Sequence, residues 1–148
     1  METYESLKLD NQLCFPLYAA AREVVKKYTP LLNKLDITYT QYITLMVLWE
    51  KHDLSVKELG QKLFLDSGTL TPLLKSLEKK GFVKRSRSTG DGRVLNVSLT
   101  KQGEELKNTA LSVPQGMQGC IPLSPAEAFT LYSLLYKILG KDVSDNFS

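Results

Sequence analysis

Two cysteines, Cys14 and Cys120, have the most distinctive chemistry of any residues in this chain. A thiolate is a nucleophile, a metal ligand and a target of oxidants, so cysteines of this kind indicate catalysis, redox sensing or inert packing. Their wide separation fits no zinc-binding spacing, and the chain contains only one histidine, His52. We therefore expect no metal site and no cofactor, and the residues alone leave the reactivity of both thiols open.

A cluster of positive charge is the second feature with chemical potential. Between positions 75 and 93, seven basic residues accompany two acidic ones, a local charge of +5 in a chain whose net charge is +3. Such a field attracts polyanions, which predicts nucleic acid as a partner; a solvated helix end is the alternative. The basic residues are Lys75, Lys79, Lys80, Lys84, Arg85, Arg87 and Arg93, and the acidic ones are Glu78 and Asp91.

The composition predicts one globular domain over residues 1–148. Hydrophobic residues make up 43% of the 148 and charged residues 24%, a balance that allows a core and excludes general disorder. No stretch approaches the ~18 apolar residues that a membrane span needs. The first residues lack the basic-then-apolar pattern of a secretory signal. We therefore expect a cytoplasmic location and no membrane partner.

The apolar periodicity positions the basic cluster on a winged helix. Two short amphipathic helices joined by a glycine-containing linker are typical of a helix-turn-helix, and Gly81 is expected to end the second one. Two strands joined by a turn at 88–92 then form a basic hairpin. The fold class is therefore mainly α (α+β), a winged helix-turn-helix. The predicted helices of this part span about 38–51, 55–63 and 69–80, and the strands 82–86 and 94–99.

The remaining segments are predicted to be dimerisation helices, at about 7–34 and 101–148, flanking a DNA-binding lobe at about 38–100. Thr100 opens a helix of about ten residues that Pro114 ends, and residues 114–122 are expected to be a loop. Ser124, Pro125 and Glu127 supply the cap of a last helix, whose apolar face is too wide for a monomer surface. Together with the first helix, this face predicts a homodimer interface.

The predicted recognition helix presents polar residues to the major groove. Because its leucines face the core, Thr71, Pro72, Lys75, Ser76 and Lys79 are expected to face outward. Pro72 has no amide hydrogen and is expected near the helix start. Ser67, Gly68 and Thr69 would then offer free amides to phosphate.

The predicted wing adds arginines. Arg85 and Arg87 lie on a strand, and Arg93 follows the turn, where it could enter a narrow minor groove. Asp91 could orient the guanidinium of Arg93. The alternative is that Asp91 and Arg93 are ordinary turn residues.

Four segments carry a family resemblance. DSGTLTPLLK at 66–75 and DGR at 91–93 resemble the MarR family of bacterial regulators. QLCF at 12–15 and ITYTQY at 37–42 resemble its organic-hydroperoxide-sensing, OhrR-type branch. The resemblance runs from about residue 7 to residue 106. It implies a triangular, mainly helical homodimer that binds an inverted-repeat operator in double-stranded DNA.

The same resemblance implies a redox switch. It assigns Cys14 as the thiol that organic hydroperoxide oxidises, with Tyr28 and Tyr39 hydrogen-bonded to it across the dimer. Hydrogen bonds to the anion and a helix N-terminus both favour a thiolate. Two-cysteine members of the family join such residues between subunits, which makes Cys120 the resolving cysteine of an intersubunit disulfide. An inert Cys120 in a one-cysteine sensor is the alternative.

Pro16 departs from the aliphatic residue expected there. Either the first helix begins close to Cys14 or it bends there, and we hypothesise that Pro16 sets the reactivity or flexibility of the thiol. No catalytic base or substrate-orienting arginine stands near Cys14 in the sequence, so we do not expect an enzyme. A thiol peroxidase, a regulator gated by a small phenolic ligand and a DNA binder without a signal are the other functions considered.

Overall fold

The computed structural model of the chain describes residues 4–90 and 92–143 and has the elements of a winged helix-turn-helix. Two short 3-10 turns, Glu5–Leu7 and Leu9–Asn11, precede the first α-helix. The helices are α1 (Cys14–Asn33), α2 (Tyr39–Lys51), α3 (Val56–Leu63), α4 (Ser67–Lys79), α5 (Lys101–Ala110), α6 (Ser112–Met117) and α7 (Pro125–Ile138), and the strands are β1 (Asp53–Ser55), β2 (Val83–Arg87) and β3 (Leu95–Leu99).

The predicted caps fix where the central helices begin and end. The Thr38 hydroxyl accepts from the Gln41 amide at 3.3 Å, and the Gln41 side chain accepts from the Thr38 amide at 3.0 Å. This capping box satisfies two donors that the first turn of α2 leaves unpaired. Gly81, at φ +86, follows the last residues of α4 in a conformation that favours glycine. The predicted capping box of α2 and the predicted stop of α4 are confirmed.

The recognition helix α4 begins earlier than predicted, at Ser67. The Asp66 carboxylate accepts from the Thr69 amide at 2.7 Å and is the N-cap that the sequence interpretation missed. Pro72 therefore lies in the second turn, so its expected position near the helix start was wrong. Because proline has no N–H, the Gly68 carbonyl lacks its usual i+4 donor.

The sheet is antiparallel, with the order β1-β3-β2. The predicted hairpin is confirmed, with Val83 paired to Leu99 and Arg87 to Leu95. Strand β1 was not predicted, because three residues are too few to show an alternating pattern. It exists through pairing with β3, where Leu54 lies opposite the fully buried Val97.

Helix α6 corrects the first part of the predicted loop, residues 114–117, whereas residues 118–122 are non-helical as predicted. Pro114 is the third residue of this helix, where a missing amide costs no intrahelical hydrogen bond. Val113 and Met117 lie one turn apart and are both buried, which supplies the apolar contact that the proline pattern concealed. Pro16 occupies the same third position in α1, so the first of its two predicted alternatives holds: the helix begins at Cys14.

Helix α2 lies at the centre of the core, as its apolar composition predicted. Leu45 and Leu48 are fully buried, whereas Met46 is 47% exposed, so the helix is not enclosed on every side. Trp49 is buried, and its Nε1 donates to the Gly103 carbonyl at 2.9 Å. This bond ties α5 to the DNA-binding helices.

The chain divides into two compact units, Met1–Met117 and Gln118–Ser148. The second contains Cys120 and α7, whose predicted cap is confirmed: Ser124 and Glu127 form a capping box around Pro125. No described residue of α7 is buried, and several of its large apolar side chains are exposed. Among the described residues, no helix combines the length and apolarity needed to cross a membrane. The exposed apolar residues of α7 include Phe129, Leu131, Leu134 and Ile138.

Candidate DNA-binding surface and redox site

Helix α4 separates an apolar inner face from a polar outer face. Four leucines are buried, whereas Thr71, Lys75 and Lys79 are exposed as expected of a helix that enters a groove. The Thr71 hydroxyl donates to the Ser67 carbonyl at 2.8 Å, so its methyl group and its oxygen lone pairs remain available outward. The buried leucines are Leu70, Leu73, Leu74 and Leu77.

The N-terminus of α4 is less open to phosphate than predicted. Ser67, Gly68 and Thr69 are exposed, but the Thr69 amide is engaged by Asp66. Hydrogen bonds from the Thr69 amide and hydroxyl, and then from the Gly68 amide, hold the pKa of the Asp66 carboxyl below its ordinary value. Asp66 therefore keeps a negative charge at the N-terminus of α4. This charge opposes the attraction between the helix dipole and a phosphate group.

The wing presents two exposed arginines. Nη1 of Arg87 donates to the Gly92 carbonyl at 3.1 Å, which braces the turn of the hairpin from within. Arg93 is exposed beyond that turn. Asp91, expected to orient Arg93, lies outside the described residues.

Arg85, which the sequence assigned to the DNA-contacting arginines of the wing, is turned toward the protein instead. Along β2 it alternates with exposed neighbours and shares a face with the buried Val83, which directs it toward α4. Its guanidinium donates to Glu78 at 3.2 Å, and its side chain is 22% exposed. Hydrogen bonds from the Arg85 side chain and then its amide lower the pKa of the Glu78 carboxyl. This arginine therefore joins the wing to the recognition helix.

Ser76 was also expected to face outward, but it turns toward α2. It is half-buried, and its hydroxyl accepts from Nε2 of Gln41 at 2.9 Å. Gln41 is 4% exposed. The sequence indicated Gln41 only as a capping residue, and its second role has no local signal because the partner is 35 positions away.

The two cysteines occupy different settings. Cys14 is exposed and is the first residue of α1, where backbone N–H groups of the first turn have no intrahelical acceptor. Cys120 is half-buried in the second unit, just before α7. Neither thiol is in a disulfide.

The predicted phenols lie together, with a third that was not predicted. The ring centroids of Tyr28 and Tyr39 are 5.0 Å apart, and Tyr42 lies 6.0 and 6.4 Å from them. Burial raises the pKa of Tyr39, and the neighbouring Tyr28 raises it further. Burial and both neighbours likewise raise the pKa of Tyr42. Tyr39 and Tyr42 therefore stay protonated and able to donate hydrogen bonds at neutral pH.

Within one chain, the thiol and the phenols are held apart. Cys14 and Tyr28 are fourteen positions apart on one continuous helix, and a rise of 1.5 Å per residue separates them by about 21 Å. A side-chain hydrogen bond spans about 3 Å. Only a second copy of the chain can bring a Tyr28 to the Cys14 thiol.

An exposed recognition helix with a basic wing defines a winged helix-turn-helix DNA-binding protein. Within the described ranges, no three histidine, cysteine or acidic residues are grouped to hold a metal ion. The family described as transcriptional regulator SarA/Rot matches residues 26–110. The organic hydroperoxide resistance transcriptional regulator of Bacillus subtilis is 48% identical over 136 residues, 92% of this chain and 92% of that protein.

Solved structures agree with this similarity. AbfR of Staphylococcus epidermidis, in its reduced form bound to DNA, is 36% identical, with a TM-score of 0.76 over 92% of this chain and 94% of that one. A mutant MarR from E. coli, complexed with operator DNA, is 26% identical, with a TM-score of 0.80 over 94% and 99%. The chain belongs to the MarR family of transcriptional regulators, in the branch that the organic hydroperoxide regulator represents. The predicted resemblance is confirmed, and the similarity covers more than residues 7–106.

AbfR has also been solved in two oxidised states. One structure is overoxidised AbfR bound to DNA, with a TM-score of 0.75 over 92% of this chain and 96% of that one. Another is disulfide-formed AbfR, with a TM-score of 0.64 over 93% and 96%. Both are 36% identical to this chain. These relatives are regulators and not enzymes, in line with the sequence prediction.

Proposed function

We propose that this protein is a redox-sensing repressor that releases operator DNA when organic hydroperoxide oxidises Cys14. One observation carries the proposal: an exposed thiol begins α1 of a DNA-binding fold that is 48% identical to an organic hydroperoxide resistance regulator. We place its action in the cytoplasm, where operator DNA and reducing thiols meet.

The sensing site is completed by a second subunit. If Cys14 of one α1 meets Tyr28 of the partner, two-fold symmetry requires the reciprocal contact. The two helices then run antiparallel and are closest near the midpoint of positions 14 and 28, which is Ala21. A small side chain there permits close approach, and Ala21 lines an apolar groove on α1 together with Tyr18 and Val25.

The proposed chemistry proceeds in two balanced steps. The Cys14 thiolate attacks one peroxide oxygen, the O–O bond breaks, and the alkoxide takes a proton and leaves as alcohol. Sulfur is thereby oxidised by two electrons to sulfenic acid while the peroxide is reduced. The Cys120 thiol of the partner then attacks this sulfur, the S–O bond breaks, water leaves, and an intersubunit disulfide forms.

Disulfide formation is favoured over further oxidation as the releasing event. The related AbfR has been solved bound to DNA in its overoxidised form, so in that protein overoxidation is compatible with DNA binding. A covalent bond between α1 and the segment before α7 would instead restrain how the two DNA-binding lobes are spaced. Cellular thiols can reverse a disulfide, which makes the response temporary.

Recognition of an inverted-repeat operator is assigned to α4 and the wing. The proposed contacts combine hydroxyl groups at the start of α4 with cations on its outer face and on the hairpin. Arg85 is retained only as an indirect contributor, because Glu78 engages its guanidinium. The proposed contact residues are Ser67, Thr69, Thr71, Lys75, Arg87 and Arg93.

DNA retardation with the upstream region of the chain's own gene tests the proposal. Reduced and cumene-hydroperoxide-treated protein are compared for the wild type, Cys14→Ser and Cys120→Ser. We expect peroxide to release wild-type protein and to leave Cys14→Ser bound. Release of Cys14→Ser by oxidant would contradict thiol sensing and favour a ligand-gated regulator.

Non-reducing gel electrophoresis of the same samples tests the disulfide separately. We expect a covalent dimer band with the wild type and none with Cys120→Ser. A dimer band that survives Cys120→Ser would exclude the proposed bridge. Steady peroxide turnover with a thiol reductant would instead support the peroxidase alternative.

A further inference from the structure

Gln41 is the most completely bonded buried side chain in the described part of the first unit. Its Oε1 accepts from the Thr38 amide at 3.0 Å and from Nζ of Lys80 at 3.1 Å, and its Nε2 donates to Ser76 at 2.9 Å. Lys80 also donates to the carbonyl of Asp36. These bonds join the N-terminus of α2 and the turn before it to the recognition helix.

The capping role of Gln41 explains only one of these bonds. A capping box requires the bond to Thr38, and a solvated glutamine would satisfy it. Burial of the amide instead requires every polar atom to be paired, and the pairing partners are Ser76, in the last turn of α4, and Lys80, the residue directly after its end. The network therefore fixes α4 relative to α2 at two successive points.

The tyrosine cluster lies at the other end of the same connection. Tyr39 is the first residue of α2 and Tyr42 is the fourth, so both flank Gln41 on the first turn. Tyr39 packs against Tyr28 of α1. A displacement of these phenols would therefore move the helix end that carries Gln41.

We propose that Gln41 is a positioning residue through which the tyrosine cluster sets the orientation of the recognition helix. This inference rests on the proposed function, since oxidation of Cys14 is the event that displaces the phenols. In the reduced protein Gln41 holds α4 in the DNA-binding orientation. After oxidation it transmits the shift of α2 to Ser76 and Lys80.

The test is the ratio of the DNA dissociation constants of oxidised and reduced protein. Gln41→Met keeps the length of the side chain and removes its hydrogen bonds. We expect this ratio to fall by about two- to thirty-fold relative to the wild type, while the rate of Cys14 oxidation, followed by mass spectrometry, stays unchanged. Gln41→Glu should restore the ratio, because carboxylate oxygens can accept from Thr38, Lys80 and the Ser76 hydroxyl.

Two further variants keep the result decisive. Gln102→Met, at an exposed glutamine of α5, is the matched control and should behave as the wild type. Ser76→Ala removes the hydrogen bond between Gln41 and α4, so it should also lower the ratio. This variant provides the test if Gln41→Met does not fold. The inference would be overturned if the ratio were unchanged in both Gln41→Met and Ser76→Ala. This includes the case in which a variant weakens DNA binding equally in the oxidised and the reduced protein. A wild-type ratio of one would overturn the proposed function itself.

Discussion

Glu78 of α4 holds Arg85 of β2 with both of its carboxylate oxygens. Oε2 accepts from the Arg85 amide at 3.0 Å, and Oε1 accepts from Nη2 of its guanidinium at 3.2 Å. The arrangement fixes the first strand of the wing to the recognition helix. Two arginines that are adjacent on the same face of β2, Arg85 and Arg87, thus have different tasks.

We expect Arg85→Ala to lower the free energy of unfolding and Arg87→Ala to leave it nearly unchanged. The reason is that Arg85 is half-buried and paired, whereas Arg87 is exposed. Urea unfolding measures the free energies of both variants. DNA titration should show the larger loss of affinity for Arg87→Ala. If Arg85→Ala has native stability but loses DNA affinity as much as Arg87→Ala, Arg85 contacts DNA directly.

The acid sensitivity of the fold should depend on Asp66 and Glu78. Hydrogen bonds lower the pKa of both carboxyl groups in the folded state. The folded protein then binds fewer protons than the unfolded chain, so this stabilisation is present above the unfolded values of about 4 and is lost as the pH falls through the folded pKa. Asp66→Asn keeps a capping oxygen and removes the titration.

Urea unfolding at pH 7, 5, 4 and 3 measures this effect. Asp66→Asn should lose less stability than the wild type on going from pH 5 to pH 3. Asp53→Asn, at an exposed carboxylate of β1, is the control and should keep the wild-type profile. Parallel profiles for Asp66→Asn and the wild type would contradict the role of the Asp66 cap.

Mixed dimers should show that each sensing site uses both subunits. In a dimer of one Cys14→Ser subunit and one Tyr28→Phe subunit, the remaining thiol meets the intact Tyr28 of its partner. We expect it to be oxidised at the wild-type rate. In a dimer of a wild-type subunit and a Cys14→Ser, Tyr28→Phe subunit, the thiol lacks its phenol, and oxidation should be about tenfold slower or more. The reverse pattern would mean that the site forms within one chain.

The proposed two-fold axis predicts a new cross-link. In a Cys14→Ser, Cys120→Ser background, Ala21→Cys should form an intersubunit disulfide, because a residue at the axis faces its own copy within bonding distance. Glu23→Cys lies on the opposite side of α1, about 200° around the helix, and should remain monomeric on a non-reducing gel. Equal cross-linking at both positions would indicate random collision instead of a defined interface.

Salt dependence should distinguish direct DNA contacts from the general charge. Each cation that neutralises a phosphate makes the slope of log affinity against log salt more negative by about one, so its removal makes the slope shallower by that amount. We expect this change for Lys75→Ala and Arg93→Ala. Lys107→Ala, at an exposed lysine of α5 that is not assigned to DNA, should leave the slope unchanged.

Much of the fold could be predicted because its signals are local. The capping residues Thr38 and Ser124 and the stop at Gly81 each act within a few positions of themselves. Asp66 acts locally as well, but the glycine-containing linker was predicted to extend through Gly68, so Asp66 was assigned to the linker and not to a helix cap. The position of Pro114 was predicted wrongly for a related reason. A proline can follow the end of a helix or occupy the first turn of one, and only the burial of neighbouring residues distinguishes these two cases.

The rest of the site depends on partners distant in sequence. Periodicity places Ser76 on the polar side of α4 and does not reveal that Gln41 lies opposite it. On β2 it places Arg85 on the same face as Val83, but it does not reveal that Glu78 engages the guanidinium. Strand β1 is likewise defined by β3 and not by its own three residues. The proposed contact between Cys14 and a phenol requires a second chain, which no single sequence describes.

The exposed apolar surface of helix α7 has a consequence for the protein concentration that a cell needs. No described residue of α7 is buried, and Phe129 and Ile138 remain 63% and 65% exposed. In the proposed dimer, burial of this surface would add stability by mass action, so the melting temperature should rise with protein concentration. Dilution of that dimer would then lower the fraction of regulator able to bind DNA in the absence of any oxidant, which would make abundance a second determinant of repression.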